Sequence, residues 1–330
     1  MPRITNPAVH LDAILTNISI AYMQDPGNFI ASRVFPNVPV QFQSDRYYTF
    51  DRADFNRDEA KIRAPGTESA GSGFNLDNTP TYFAPVVSFH KDVAWQTMAN
   101  ADTVLDLTRA ANDFVMQKLM IRKEKDFVTN YFRDGVWDND KVGGSGSGEI
   151  TPWSNPTSST PIEDVREGKT TVLETTGFEP NTLVLGRRVY DALADHPDIV
   201  DRIKYSGGIG NENPARVTAR TLAQLFDVER VLISNAIVNN SKEGLAESSS
   251  FIAGKNALLC YAESSPSLMA PSAGYTFSWS GYLGLGNDFG VATKRIPMDH
   301  LESDRIEGSM AYDMKVVGKD LGYFWKNIVA

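Results

Sequence analysis

Few residues of this chain have the types and spacing that chemistry needs. Gly254-Lys255 lacks the rest of a phosphate-binding loop, because the upstream glycine position is Ser249 and no Ser or Thr follows the lysine. Gly207-Gly-Ile-Gly-Asn-Glu lacks the third glycine of a dinucleotide fingerprint. Gly281 to Gly290 is glycine-rich but follows a Trp-rich strand and does not open a helix. No Gly-x-Ser-x-Gly nucleophile elbow exists. His10, His90, His196 and His300 are widely separated, with no second histidine at metal-ligand spacing. Asp138-Asn-Asp140 opens like a calcium loop but lacks the glycine and the terminal glutamate. A hydrolase would need a site assembled from scattered residues such as Asp299, His300 and Glu302. The single cysteine, Cys260, lies in Asn256-Ala-Leu-Leu-Cys-Tyr and reads as a buried small hydrophobe, so no intrachain disulfide is possible. No catalytic, cofactor-binding or metal-binding constellation emerges. Between Asp51 and Arg63, acids alternate with Arg52, Arg57 and Lys61, which describes a solvated or intersubunit charged surface.

Composition narrows the classes. The 330 residues allow about two domains at ~150 residues each. A net charge of −9 argues against tight binding to a phosphate backbone, which needs clustered Lys and Arg. No apolar run approaches the ~20 residues that span a bilayer. Met1-Pro-Arg-Ile leads into mixed polar sequence unlike a signal peptide, so folding in a reducing, aqueous compartment is expected.

One long element must organise the rest. From Asn100 to Gly135 no proline or glycine interrupts the chain, and Leu107, Ala111, Phe114, Val115 and Leu119 recur at three- and four-residue spacing. Asn100 or Asp102 is the expected cap and Gly135 the stop. Such a helix would be on the order of 50 Å long. That exceeds one small core, so several subdomains should lean on it. Upstream, residues 8–23 pattern as a short amphipathic helix with Leu11, Ile14, Leu15, Ile18 and Tyr22 on one face. The stretch Phe29–Pro39 reads as an extended arm on another surface, or else as a terminus tucked onto its own domain. Period-two runs at Val40–Phe50 and Thr81–Phe89 flank about thirty polar residues, which predicts a two-stranded arm with a flexible tip. An isolated hairpin is marginal in water, so the arm needs a surface to lie on.

Downstream, Gly143-Gly-Ser-Gly-Ser-Gly148 marks a loop. Helices are expected at Thr160–Thr175, Arg188–Ala194, Asp198–Tyr205 and Thr218–Phe226. They alternate with strands at Thr182–Gly186, Val228–Ser234, Asn256–Tyr261 and Tyr275–Trp279, with polar loops at Ser206–Pro214 and Ser241–Ser250. This alternation predicts an α/β unit. The tail from Arg305 reads as strand, and Tyr323–Val329 as a last apolar strand.

The order of these parts resembles the major capsid proteins of tailed bacteriophages, the Hong Kong 97-type α+β fold. The stretches that carry it are Phe35-Pro-Asn-Val-Pro-Val40, Arg63-Ala-Pro-Gly66, Asn181-Thr-Leu-Val-Leu-Gly186 and Thr221-Leu-Ala-Gln-Leu-Phe-Asp-Val-Glu-Arg-Val-Leu232. The resemblance implies an N-terminal arm (1–40), an extended β-hairpin arm (41–95), a peripheral domain with the spine helix (96–155 and 286–330) and an axial domain (156–285). It implies a shell subunit that self-assembles into hexamers and pentamers of an icosahedral virion capsid. Such a shell encloses DNA without sequence-specific binding, is assembled in the host cytoplasm, and needs no cofactor, no membrane and no enzymatic activity. A separate scaffolding protein, a portal protein and a decoration protein are the implied partners. Phe35, Arg52, Arg57, Asp58, Lys61 and Arg63 are the candidate subunit contacts. Some members of the family cross-link an arm lysine to a neighbour; Lys61 is the arm lysine here, though an ion pair is the expected use. Three other readings compete: an encapsulin-type bacterial compartment, a soluble hydrolase and a ligand-binding α/β protein.

Overall fold

The computed structural model describes residues 23–101, 106–206, 217–263, 266, 270–283 and 291–330. The expected helix at 8–23, the cap residue Asp102, His10, and nearly all of the Ser206–Pro214 and Gly281–Gly290 stretches lie outside the described residues.

The chain first turns through α1 (Ala31–Val34) into β1 (Asn37–Val40). The arm follows: β2 (Ser44–Arg46), β3 (Thr49–Phe50), a one-turn α2 (Arg52–Phe55) capped by Asp51, β4 (Leu76–Asp77) and β5 (Thr81–Phe83). The return strand then leaves the arm as β6 (Val86–Ala94), and α3 (Trp95–Ala99) leads towards α4 (Leu107–Tyr131). At 25 residues α4 is about 37 Å long, shorter than expected, because its cap is Asp106 rather than Asn100. Asp106 Oδ1 accepts the Arg109 N–H at 3.0 Å.

Beyond α4 come β7 (Asn139–Val142), α5 (Pro161–Thr176), β8 (Thr182–Gly186), α6 (Arg187–Ala194), α7 (Pro197–Ser206), α8 (Ala219–Phe226) and β9 (Arg230–Ser234). Proline at N1 and Glu163 and Asp164 in the first turn suit the start of α5, and Gly177 ends it in the left-handed region. Thr218 and Thr221 form a reciprocal capping box on α8. The hairpin β10 (Ile237–Asn239) and β11 (Ser249–Phe251) follows, then β12 (Ala257–Cys260), β13 (Gly274–Trp279), the one-turn α9 (Ser280–Leu283), β14 (Val291–Met298), β15 (Ser303–Val316) and β16 (Gly322–Lys326).

Two five-stranded sheets share α4. In the first, β1 runs parallel to β13, β13 antiparallel to β15, and β15 is flanked over most of its length by β14 and β6. Ala111, Val115, Leu119, Lys123 and Phe127 repeat every fourth residue and form the buried ridge of α4. Gly308 of β15 lies under that ridge. A Cβ there would stand 2.7 Å from Val115 and 2.9 Å from Leu119, so the close helix–sheet approach requires glycine. Phe114, expected on the apolar face, is instead 39% exposed and leans on Phe89.

The second sheet has the order β7-β16-β12-β8-β9. Its central strands are buried on both faces, which is why Thr182-Leu-Val-Leu-Gly is continuously apolar. Leu183, Leu185, Ala257, Leu259, Tyr323 and Trp325 pack with Val165, Val172, Val189, Leu193 and Leu222 on one side. Val184, Leu258, Cys260 and Phe324 face Phe127 and Phe132 on the other. The helix thus supports one sheet with its middle and the other with its C-terminal end.

Two expectations need correction. Phe29–Pro39 is tucked onto its own domain: Ile30, Ala31, Val34 and Phe35 are all buried. The segment 286–330 is split, since β14 and β15 complete the first sheet whereas β16 pairs with β12 and β7 in the second. Asp138-Asn-Asp140, the calcium-loop lookalike, leads into β7, and Asn139 and Asp140 belong to that strand.

Candidate subunit-contact surface

The arm is the part of the described chain with least core of its own. Two short ladders, Ser44–Arg46 with Thr81–Phe83 and Thr49–Phe50 with Leu76–Asp77, hold its base and middle. Tyr82 stacks on Phe277 at 4.6 Å and Tyr47 lies 5.3 Å from the same ring, so the base rests on the first sheet. The Phe83 N–H donates to Asp313 Oδ2 at 2.9 Å, and Arg52 pairs with Asp320. Beyond Asp51 no core supports the chain. Residues 60–79 are exposed throughout, and Phe50, Phe55 and Phe74 form a three-ring cluster with centroids 5.6–5.8 Å apart. Phe55 is 51% and Phe74 59% exposed, with Ile62 and Leu76 also bare. An apolar cluster this exposed is a candidate interaction surface.

The expected contact residues divide. Arg57 reaches Asp54 at 3.5 Å and Glu59 at 3.2 Å, while Asp54 Oδ2 accepts the Asn75 N–H at 2.8 Å, so these charges brace the tip. A hydrogen bond from Ser72 and the Arg57 guanidinium hold the Glu59 carboxyl below its ordinary range. Arg63 donates to the Thr67 carbonyl oxygen. Asp58 and Lys61 are exposed, and Lys61 makes no ion pair with the described residues. Phe35 is different: it is fully buried against Phe127 and Tyr131, with centroids 5.3 and 5.2 Å away. It is a core residue of its own subunit.

Sequence reasoning missed the most polar point of the core. Glu124 is fully buried in α4, and its Oε2 accepts the N–H groups of Ile30 at 3.0 Å and Ala31 at 2.9 Å. Its Oε1 accepts the Ser234 hydroxyl at 3.1 Å, so one carboxyl joins the N-terminal segment, the helix and β9. Burial raises its pKa against those hydrogen bonds. Beside it, Lys123 is nine-tenths buried with Nζ 5.5 Å from the Tyr312 ring centroid, and burial lowers its pKa to about 8. Charged residues read as a solvated face in sequence, and no signal marked this pair.

A Ser–His–Asp line also exists, at Ser159, His196 and Asp198. Ser159 Oγ lies 3.0 Å from His196 Nε2, and His196 Nδ1 is 3.9 Å from Asp198 Oδ2. However, Nδ1 accepts the Asp198 N–H at 3.3 Å, which leaves the ring proton on Nε2. Ser159 Oγ in turn donates to the Asn155 carbonyl oxygen at 2.5 Å. The imidazole therefore donates to the serine instead of accepting its proton, the reverse of base activation. Both side chains are also buried. Asp299, His300 and Glu302 sit on an exposed turn between β14 and β15. Cys260 is fully buried, and its thiol is pushed up to about 12. Among the described residues no group of three or more His, Cys, Asp or Glu is placed to hold a metal, and no helix is long and apolar enough to cross a membrane.

No protein-family model matches the chain. It is 27% identical to the major capsid protein of Pseudomonas phage JBD67 across 99% of both chains. It is 26% identical to that of Burkholderia phage BcepMu across 82% of this chain and 84% of the relative. Among solved structures it resembles a phage-related protein from Bordetella bronchiseptica RB50, with TM-score 0.69, 21% identity and coverage of 92% and 93%. The mature capsid of bacteriophage PhiM1 gives 0.57 with 14% identity, over 96% and 92%. The SrpI encapsulin complex of Synechococcus elongatus gives 0.56 with 13% identity, over 95% and 93%. The fold alone is thus shared with shells of both kinds, whereas the sequence relatives are capsid proteins. The chain is a homologue of phage major capsid proteins and has the fold of a capsid shell subunit.

Proposed function

We propose that this chain builds the icosahedral shell of a tailed phage, as hexamers and pentamers of a Hong Kong 97-type subunit that enclose the viral DNA. The observation that carries this is the relation to a major capsid protein over 99% of both chains. The geometry supports it: an arm with a bare aromatic cluster and little core of its own needs a neighbour to lie on. In this reading residues 41–85 form the extended arm and drape over an adjacent subunit. Arg52, Arg57, Asp58, Lys61 and Arg63 supply its polar contacts. The first sheet with α4 is the peripheral domain and the helices on the second sheet make the axial domain. The role is structural and not enzymatic, as the relation to major capsid proteins suggests. A net charge of −9 suits a wall that encloses DNA without gripping its phosphates. Scaffolding, portal and decoration proteins are the partners such a shell would use, with assembly in the host cytoplasm.

The test is expression with any scaffold gene, followed by sedimentation, negative-stain imaging and analysis of the contents. Uniform closed shells are expected, and packaged DNA in particles from infected cells. Shells that enclose a co-purifying enzyme would move the assignment to an encapsulin-type compartment. A strict monomer with and without scaffold would overturn both.

A further inference from the structure

We propose that Leu245, at the tip of the β10–β11 hairpin, seats in the groove between α5 and α8 of a second copy of this chain, a head-to-tail contact that repeats around a ring. The proposal rests on the shell-subunit reading. A lone exposed leucine is ordinary. This one is 68% exposed at the end of a built turn. The Leu245 N–H donates to the Lys242 carbonyl oxygen at 3.2 Å, and Gly244 takes φ +86°, which favours glycine. Asn239 Oδ1 accepts the N–H groups of Ser241 at 2.9 Å and Ser248 at 3.2 Å, and Asn240 Nδ2 donates to Ser250 Oγ at 2.8 Å. The tip is pre-organised, which lowers the ordering cost of binding.

The receiving groove has a volume of about 260 Å³ and a floor that includes Ile162, Val165, Leu225 and Phe226. Arg166 of α5, Glu179 and Asp227 also line it. Both acids reach Lys169, at 2.7 and 3.1 Å, yet their side chains remain 55% and 90% exposed. The hairpin tip carries the complementary charges, Lys242 for Glu179 and Asp227, and Glu243 and Glu247 for Arg166. Charge matching of this kind fixes orientation between partners. Asp227 lies just before β9 and the hairpin follows its far end, about 17 Å of strand away. Two different, complementary surfaces at opposite ends of one strand form a heterologous contact, the kind that builds a ring when its rotation closes.

The experiment mixes subunits carrying Leu245→Cys with subunits carrying Thr170→Cys, an exposed lining position, and oxidises the assembled shells. Buried Cys260 does not compete. A disulfide dimer is expected in the mixture and in neither variant alone. Shells without it, or equal dimers from Leu245→Cys alone, would overturn the contact while leaving the shell reading intact. Independently, Leu245→Asp should lower shell yield about tenfold or more with Leu245→Met close to wild type. Normal yield from Leu245→Asp would also overturn it. Wild-type protein that never forms shells would instead remove the shell reading, and this contact with it.

Discussion

The arm tip and the Glu124 joint are opposite solutions to placing polar sequence. At the joint, a buried carboxyl has three protein donors, and the segments that supply them are fixed relative to one another. At the tip, charges are solvated or braced locally while the aromatic rings are left bare. An unpaired buried polar group costs far more than an exposed one. Change at the joint should therefore appear as lost stability, and change at the tip as lost assembly. The first region holds the subunit together; in the proposed reading the second acts beside another subunit.

The contrast breaks most directly where helix meets sheet. Gly308→Val should cost about 3 kcal/mol or more, because its side chain would drive into Val115 and Leu119. Urea unfolding of unassembled subunits, followed by tryptophan fluorescence, would show this as a lowered midpoint. Glu124→Ala comes next, at about 2–4 kcal/mol, since two N–H groups and the Ser234 hydroxyl lose their acceptor. Glu124→Gln should retain most of that stability, because an amide oxygen still accepts both N–H groups. Its pH profile should differ as well. A folded pKa above the unfolded value means that the wild-type contribution is full below the unfolded pKa and is lost as pH rises through the folded one. That fall should vanish in Glu124→Gln.

Lys123→Met has the opposite sign. A folded pKa of about 8, below the ordinary 10.5, means that the buried ammonium disfavours folding below pH 8, and this cost fades as pH climbs towards 10.5. Replacement should stabilise by up to ~3 kcal/mol near neutral pH, less the lost contact with Tyr312, and should flatten the alkaline rise. At the small end, Phe55→Ser should change subunit stability by under about 0.5 kcal/mol while lowering shell yield. A large fall in its unfolding midpoint would erase the contrast.

Much of the frame was legible because local signals agreed. Thr182–Gly186 is apolar on both faces and is buried on both. The helices expected at Thr160–Thr175 and Thr218–Phe226 are α5 and α8. The misses share one cause, a tertiary partner that no local pattern encodes. β14 went unseen because its outward residues are polar, Lys294 and Arg295 are charged, and Pro297 interrupts it; only pairing with β15 makes it a strand. Lys123 and Glu124 were not singled out because their partners lie about a hundred residues or more away in sequence. Phe35 read as a free contact because an irregular apolar stretch looks the same whether it covers a neighbour or its own core. The arm was foreseen as a hairpin, but its return strand departs at Val86 to pair with β15.

The most direct test of the contrast is sedimentation velocity on a variant lacking residues 56–76, beside the wild type. The account predicts a subunit with a near wild-type unfolding midpoint that forms no shells, or only unstable ones. Normal, stable shells from the deletion would contradict it.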